Sequence, residues 1–247
     1  MEIKISPTEK LFTSKQTIDQ LPLSEALSMM IDSNNLAVQA VKSVVYDIEK
    51  AVIKIYQRLK KSKTGRLIYA GAGTSARIGV QDGVELYPTF GWPQERLEFL
   101  IAGGVDALIR PVENAEDQVL SLTEKLNNLN INSNDVVIGL AASGNTPYTN
   151  SIIEISRTLG ALTIGISNNP FGLIAEKAEI GIILDTQGEL VAGSTRLKAG
   201  TSQKVCLNTI STLVMIKFKR VKDGQMTHLV ATNKKLRERK KRISNKF

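Results

Sequence analysis

Two turns rich in glycine and hydroxyl side chains follow short apolar runs of the sequence. The first turn, in GAGTSARIG, contains Gly73, Thr74 and Ser75. The second turn, in AASGNTPYT, contains Ser143, Gly144, Asn145 and Thr146. Glycine permits a tight turn, and hydroxyls beside the free N–H groups of a helix start can bind an anion. One such turn would be an ordinary helix cap, but the pair predicts a phosphate site of backbone amides and neutral hydroxyls.

Acidic side chains in two other segments could transfer protons. Glu85 lies beside a proline- and aromatic-rich loop in VELYPTFGWP, and VENAEDQ clusters Glu113, Glu116 and Asp117. Isolated acids are usually solvated, so spacing alone does not make any of them catalytic. Two carboxylates in one pocket can divide acid and base work if their surroundings separate their pKa values.

A third glycine-rich segment, GSTRLKAGTSQK, precedes a long apolar helix. Its candidate ligand contacts are Ser194, Thr195, Arg196 and Lys198. A loop with two cations could close on a charged ligand, or it could do no more than cap the helix that follows. The residues alone leave both interpretations open.

Other classes of site fit the sequence poorly. GAGTSA satisfies the dinucleotide-binding pattern, but the second apolar run ends in IAGG, and the next acid, Asp106, comes too late to bind a ribose. No GK[ST] follows the glycines, so the P-loop motif is missing. A single cysteine, Cys206, and a single histidine, His228, give little support to a zinc framework or a Ser–His or Cys–His triad. We therefore expect no metal site.

The net charge of +8 is concentrated near the C-terminus. Twelve of the 32 Lys and Arg residues, but only two of the 24 acids, lie in residues 217–247, so the rest of the chain is nearly neutral. A nucleic-acid site would rest on KKLRERKKR alone, which lacks interleaved aromatics, so a solvated helix face or connector is the simpler interpretation. No membrane span or secretory signal is visible, and the single cysteine suits a reducing cytoplasm.

The apolar pattern predicts the elements that must position these turns. Five short apolar runs (residues 66–73, 97–104, 135–144, 161–169 and 180–186) alternate with helical stretches. The alternation predicts an α/β fold of three layers, with a five-stranded parallel sheet covered by helices on both faces. Ligands bind such sheets beyond the carboxyl ends of the strands, where both hydroxyl turns would lie.

Helices are also predicted before the first strand. Residues 22–31 read as a short helix with capping residues at 32–35, and a longer helix carries an apolar stripe of Ala37, Val41, Val44, Ile48, Val52, Ile55 and Leu59. The stripe is more apolar than the surface of a monomer should be, so we expect a homodimer. The predicted units are an N-terminal helical segment (1–62) that packs on the domain or on a dimer partner, a central α/β domain (63–230) and a basic C-terminal helix or tail (231–247).

Together, these segments resemble the N-acetylmuramic acid 6-phosphate etherases, a family with the SIS (sugar-isomerase) fold. The matching stretches are IDQLP, RLIYAGAGTSARIGV, the loop from Glu85 to Gly91, IAGG, VENAED, AASGNTPY, GSTRLKAGTSQK and ATNKKLRER. They run in the family order and cover nearly the whole chain. The resemblance implies a SIS phosphosugar-binding domain over residues 63–230, usually in a homodimer, with no metal or redox cofactor.

The resemblance also implies a reaction and roles for particular residues. The family cleaves the D-lactyl ether of N-acetylmuramic acid 6-phosphate to N-acetylglucosamine 6-phosphate and D-lactate, in the recycling of cell-wall amino sugars. By position in the motifs, Glu85 matches the proton donor and Glu116 the other catalytic glutamate. Thr74 and Ser75, with residues 143–146, match the sugar-phosphate contacts. The expected partner is therefore a small phosphosugar rather than a membrane or a nucleic acid.

The sequence departs from the family pattern around the proposed acid and the phosphate loop. The family usually has other residues at Ala76, Val84, Leu86, Tyr87 and Asn145, so the substrate could be another phosphosugar. We also expect the chain to lack the small C-terminal helical domain of typical members. Two alternatives stay open: a non-catalytic phosphosugar sensor resembling the SIS halves of the glucokinase regulatory protein, and a nucleic-acid-binding protein acting through the basic tail.

Overall fold

A computed structural model describes residues 6–10, 16–117, 119, 122–231, 234 and 236–238. Its centre is a five-stranded parallel sheet in the order β2-β1-β3-β4-β5. The strands are β1 (Leu67–Gly71), β2 (Leu97–Ile101), β3 (Val136–Ala141), β4 (Leu162–Ser167) and β5 (Ile180–Ile183). The predicted sheet is confirmed. From β1 the chain continues to β2 on one side of it and then to β3 on the other side. This reversal opens a crevice between the carboxyl ends of β1 and β3.

Helices cover both faces of the sheet. One face packs against α1 (Leu23–Ser43), α2 (Val45–Lys61), α3 (Gly73–Val84), α4 (Leu86–Phe90) and α8 (Lys198–Lys217). The other packs against α5 (Leu122–Asn128), α6 (Pro147–Thr158) and α7 (Leu173–Lys177). A short hairpin of β6 (Val221–Lys222) and β7 (Gln225–Met226) follows α8. No helix in the described part of the chain is long and apolar enough to cross a membrane.

Side chains along the strands alternate between two apolar cores. In β1, Leu67 and Tyr69 belong to the core that contains α2 and α8, while Ile68 and Ala70 belong to the core that contains α5 and α6. Because both faces are buried, the strands read as unbroken apolar runs. The glycines of β4 and β5 serve packing on one face: a Cβ on Gly165 would lie 2.2 Å from a backbone oxygen of α7.

The N-terminal helices differ from the prediction in where they divide. Helix α1 runs without a break through residues 32–35, which the sequence predicted as caps, and the division falls at Val44. The side chains of Ser33 and Asn34 both donate to the carbonyl oxygen of Met30, each at 2.9 Å. Because they bond back to their own helix, they do not start a new one.

The predicted apolar stripe is part of the core, so the N-terminal helices pack on the domain, which is one of the two positions predicted for them. Ala37, Val41, Ile48, Val52, Ile55 and Leu59 are all at most 7% exposed. Most of them pack with α8 against the sheet. The stripe is therefore covered within one chain and does not support a homodimer, which stays a prediction. A different set of apolar side chains on α1, α2 and α8 is exposed: Val38, Val45, Tyr46, Ile53, Leu213 and Ile216.

The long apolar helix predicted next to the third glycine-rich segment corresponds to α8, and its central residues are buried in the core. Cys206, Leu207 and Ile210 are at most 2% exposed. Burial raises the pKa of the Cys206 thiol to about 12, with a smaller contribution from Asp82. Most of the basic tail predicted over 231–247 lies outside the described residues.

Candidate functional site

A pocket of about 500 Å³ lies at the carboxyl edge of the sheet, where the ends of β1 and β3 meet. Its walls come from the turn after β1, the connection after β2, the turn after β3 and the loop before α8. The place is the reversal point of the strand order, where open parallel sheets bind ligands.

The turn after β1 points the start of α3 into the pocket. Gly73, Thr74 and Ser75 all line it, and Ser75 is 7% exposed. Gly73 has a φ of +52°, which favours glycine at this corner. The N–H groups of the first helical turn have no acceptor inside the helix, so they are available to an anion.

The turn after β3 supplies Ser143 and Thr146 to the same pocket. The backbone oxygen of Ser143 accepts a hydrogen bond of 2.9 Å from the side chain of Asn169. Gly144 has a φ of +72°, and a Cβ there would lie 2.4 Å from Cα of Gly172. The turn therefore packs directly against the loop after β4, and only glycine fits at that contact.

Two residues of this turn do not line the pocket. Gly144 is buried behind it, and the exposed Asn145 turns the other way. The side-chain oxygen of Asn145 accepts a hydrogen bond of 3.2 Å from the backbone N–H of Leu173. Gly144 and Asn145 therefore shape the turn that carries Ser143 and Thr146.

Glu116 is brought to the phosphate turns. It lines the pocket, and its Oε1 lies 3.6 Å from the position that a Cβ on Gly73 would take. Its neighbours in the VENAED segment, Glu113 and Asp117, do not line the pocket. One carboxylate of the predicted acid–base pair therefore stands beside the predicted anion site.

Glu85 is not brought there within one chain. It directly follows α3, is exposed and does not line the pocket. It lies twelve residues after Gly73 along a straight helix, which places it about 18 Å away at 1.5 Å per residue.

The segment that follows Glu85 is held firmly at its distant position. The guanidinium of Arg220 donates to the carbonyl oxygens of Phe90 and Gly91, at 2.7 and 2.8 Å. The ring of Trp92 is contacted by two guanidinium groups, Arg96 at 4.4 Å and Arg220 at 5.5 Å. These contacts tie the segment to the last strand hairpin, so no small local change would carry Glu85 into the pocket of its own chain.

The loop before α8 brings one of its four predicted residues, Thr195, to the pocket, together with Gly193. Ser194, Arg196 and Lys198 do not line the pocket. Lys198 is fully buried at the start of α8, where the Glu189 carboxylate accepts hydrogen bonds from the N–H groups of Lys198 and Ala199, at 3.4 and 2.9 Å. For Lys198 the geometry favours the capping interpretation of this loop.

Burial shifts the pKa values of both charged groups at this cap. It raises the pKa of the Glu189 carboxyl, although two backbone N–H groups and Lys198 act in the opposite direction. It lowers the pKa of the Lys198 ammonium, against the attraction of Glu189. The two groups therefore stabilise each other's charge inside the protein.

Three charged residues that line the pocket were not predicted from the sequence: Glu9, Arg77 and Arg110. Glu9 comes from the N-terminal segment, which lies along the loop before α8 because the N–H of Gly193 donates to the carbonyl oxygen of Thr8 at 3.1 Å. Nothing in the local sequence marks Glu9. Arg77 lies two residues after Ser75 of the first hydroxyl turn, and this closeness in sequence is the one feature that could have placed it at the site.

The described residues contain no group of three His, Cys, Asp or Glu side chains placed to hold a metal ion. The polar groups that line the pocket are hydroxyls, backbone amides, two acids and two arginines. Such a set can bind an anionic sugar and move a proton at a carboxylate.

Comparison with known proteins first identifies the class. A family model described as "SIS domain" matches residues 119–219, and one described as "Glucokinase regulatory protein N-terminal SIS domain" matches residues 47–157. Two solved phosphoheptose isomerases, from Francisella tularensis and Neisseria gonorrhoeae, are both 14% identical and superpose with TM-scores of 0.58 and 0.56. Each superposition covers 78% of this chain and 98% of the other, so the fold is the same.

Curated relatives then identify the family. The N-acetylmuramic acid 6-phosphate etherase of Pasteurella multocida (strain Pm70) is 44% identical over 226 residues, which are 92% of this chain and 74% of that protein. The proteins of the same name from Oceanobacillus iheyensis and Deinococcus radiodurans are 43% and 39% identical over 96% of this chain. The matched residues are 80% and 77% of those two proteins. The chain belongs to the N-acetylmuramic acid 6-phosphate etherase family.

Proposed function

We propose that this chain is a carbon–oxygen lyase that cleaves the D-lactyl ether of N-acetylmuramic acid 6-phosphate. The products are N-acetylglucosamine 6-phosphate and D-lactate. One observation carries the proposal: in a member of this family, the two hydroxyl turns and Glu116 line a single pocket. The turns supply neutral donors for the 6-phosphate, and the carboxylate supplies a base beside them.

The proposed reaction begins with the sugar in its open form, because an aldehyde at C1 acidifies the proton on C2. Glu116 removes that proton, the electron pair forms a C2–C3 double bond, and the bond from C3 to the lactyl oxygen breaks. The departing oxygen takes a proton from a second acid. Water then adds across the double bond, with its oxygen at C3 and a proton returned to C2.

We assign the second acid to Glu85 of a second copy of the chain. Within its own chain Glu85 lies about 18 Å from Gly73 on an exposed surface, so it cannot serve the pocket there. A carboxylate on an exposed helix end is free to enter the open pocket of a neighbouring subunit. The homodimer expected from the family would therefore have a catalytic purpose as well as a structural one.

Release of D-lactate tests the proposed reaction directly. The purified chain is incubated with N-acetylmuramic acid 6-phosphate, and D-lactate and N-acetylglucosamine 6-phosphate are measured. We expect equal amounts of both products. Binding of the substrate without any release of D-lactate would reject the lyase.

A phosphosugar sensor is the second candidate, and two observations favour it. The match to the glucokinase regulatory protein model covers the turn after β1, and the site of a single chain lacks Glu85. A sensor would bind N-acetylmuramic acid 6-phosphate and N-acetylglucosamine 6-phosphate but would exchange no C2 proton with solvent. Exchange of that proton in deuterated water, followed by NMR, separates the two candidates.

We place the reaction in the recycling of cell-wall amino sugars in the cytoplasm. The single cysteine is buried in α8, so the protein needs no oxidising compartment for its fold. Growth of a strain that lacks the gene, with N-acetylmuramic acid as carbon source, would check this placement. We expect no growth without the chain and growth with it.

A further inference from the structure

Two arginines line the pocket, and they differ in what their side chains already bind. Arg77 donates from Nε to the carbonyl oxygen of Leu108 at 3.1 Å and from Nη2 to that of Ala107 at 2.8 Å. It therefore holds the helical turn of Val105–Leu108 in place. Two of its five N–H donors are used in the fold, which leaves three for a ligand and holds the guanidinium against that turn.

Arg110 follows that turn and is exposed at the pocket. Its backbone N–H donates to the carbonyl oxygen of Asp106 at 3.0 Å, which fixes the main chain at this point. Within the described ranges of the chain, its guanidinium has no hydrogen-bond or ion-pair partner. The main chain of Arg110 is therefore fixed at the pocket, and the five donors of its guanidinium are available.

The proposed substrate carries two anionic groups, a phosphate and the carboxylate of its lactyl group. The hydroxyl turns around Ser75 and Ser143 account for the phosphate with neutral donors. They leave the carboxylate without a partner. A guanidinium binds a carboxylate through two parallel hydrogen bonds, which a hydroxyl cannot match.

Position as well as charge points to Arg110. It lies on the same connection, between β2 and α5, as Glu116, and both line one pocket. In the proposed reaction Glu116 acts at C2, and the lactyl group is attached to the adjacent carbon, C3. A group that binds the lactyl carboxylate must therefore lie on the Glu116 side of the pocket.

We propose that Arg110 binds the lactyl carboxylate of the substrate, an inference that rests on the proposed function. Because the sugar product has lost that carboxylate, Arg110 favours substrate over product at the same phosphate site. It is a specificity-determining residue, and it also orients C3 above the base.

Differential binding tests the role of Arg110. In a Glu116→Gln background, in which turnover is expected to be slow, the affinities for N-acetylmuramic acid 6-phosphate and N-acetylglucosamine 6-phosphate are measured by calorimetry with and without Arg110→Gln. We expect roughly tenfold weaker binding of the first ligand, the usual scale for a charged hydrogen bond, and a change within about twofold for the second. Arg110→Lys should recover part of the loss because it keeps the charge. Lys125→Gln is the control, since this exposed lysine of α5 does not line the pocket.

Each other outcome overturns the inference in a recognisable way. Equal losses for both ligands would mean that Arg110 binds the phosphate, and no loss for either would mean that it is merely solvated. The experiment measures binding alone, so its result can be interpreted whether or not the wild-type chain releases D-lactate. Lactate release with unchanged binding in Arg110→Gln would reject the role of Arg110 and leave the lyase intact.

Discussion

Helix α3 presents Gly73 and Ser75 to the pocket at its N-terminal end, whereas its C-terminal end leads to Glu85 on an exposed surface. The residues at the N-terminal end of α3 meet their predicted partners in the pocket. Ser143 and Thr146 come from the turn after β3, the neighbouring strand in the sheet, and Glu116 comes from the connection after β2. Glu85 meets none of them. About 18 Å of helix separates the two ends.

The difference follows from the geometry of a parallel sheet. Turns after neighbouring strands converge because all carboxyl ends lie at one edge of the sheet. A residue at the end of the following helix is carried toward the opposite edge, so it leaves the site that the helix started. Within one chain the fold therefore brings Glu116 to the pocket and leaves Glu85, the other member of the expected acid–base pair, outside it.

Among the residues that line the pocket, loss of Glu116 should have the largest effect on activity. Glu116→Gln should reduce turnover by roughly a hundredfold or more, because a positioned proton transfer contributes that much. It should also suppress exchange of the C2 proton in deuterated water, while the affinity for N-acetylglucosamine 6-phosphate stays nearly unchanged. Asp117→Asn is the matched control, since Asp117 is the next residue and does not line the pocket. Full activity in Glu116→Gln would break the assignment of the base.

Gly144 tests whether the turn after β3 depends on its contact with the loop after β4. Gly144 and Gly104 share a φ of +72°, but a Cβ on Gly104 would have nothing within 4 Å. Both alanine variants should lose about 1 kcal/mol of unfolding free energy to backbone strain. Gly144→Ala should lose about 1–3 kcal/mol more from the collision. Urea unfolding measures both, and equal losses would show that the contact does not matter.

The hydroxyls of the two turns should contribute to phosphate binding. Ser75→Ala and Ser143→Ala should each weaken binding of N-acetylglucosamine 6-phosphate by about 1–3 kcal/mol, since each leaves a bound anion short of a donor. Ser156→Ala is the control: its buried hydroxyl has no hydrogen-bond partner among the described residues, and it lies outside the pocket. If calorimetry finds unchanged affinity in both pocket variants, the two serines are simple helix caps.

Glu9 should have the smallest effect, because it is an exposed acid at the pocket. Glu9→Gln removes a negative charge near a bound anion, so inorganic phosphate should bind about twofold more tightly at low salt. The gain should vanish at high salt, and Asp19→Asn, which does not line the pocket, should show none. A loss of affinity in Glu9→Gln would instead place Glu9 in direct contact with the ligand.

Much of this architecture could be predicted from the sequence because it depends on local patterns. Apolar runs ending in small residues gave the five strands, and the two hydroxyl turns gave the pocket. The site residues Glu9 and Arg110 could not be predicted, because each reaches the pocket through packing between segments distant in sequence. The same limit applies to the stripe from Ala37 to Leu59, since an amphipathic pattern does not say whether the sheet or a second subunit covers it.

The central claim is that Glu116 of one chain and Glu85 of its partner act on one substrate. Chains carrying Glu85→Gln and chains carrying Glu116→Gln are co-expressed with different tags, and the mixed dimer is purified through both tags. The mixed dimer then has one site with both substitutions and one site with neither. D-lactate release is compared with wild type and with each variant alone.

We predict that each variant alone loses activity by roughly a hundredfold or more, whereas the mixed dimer recovers about half of the wild-type rate. Recovery on this scale requires that the two glutamates of one site come from different chains. A mixed dimer as inactive as its parents, or a Glu85→Gln variant with full activity, would contradict the account.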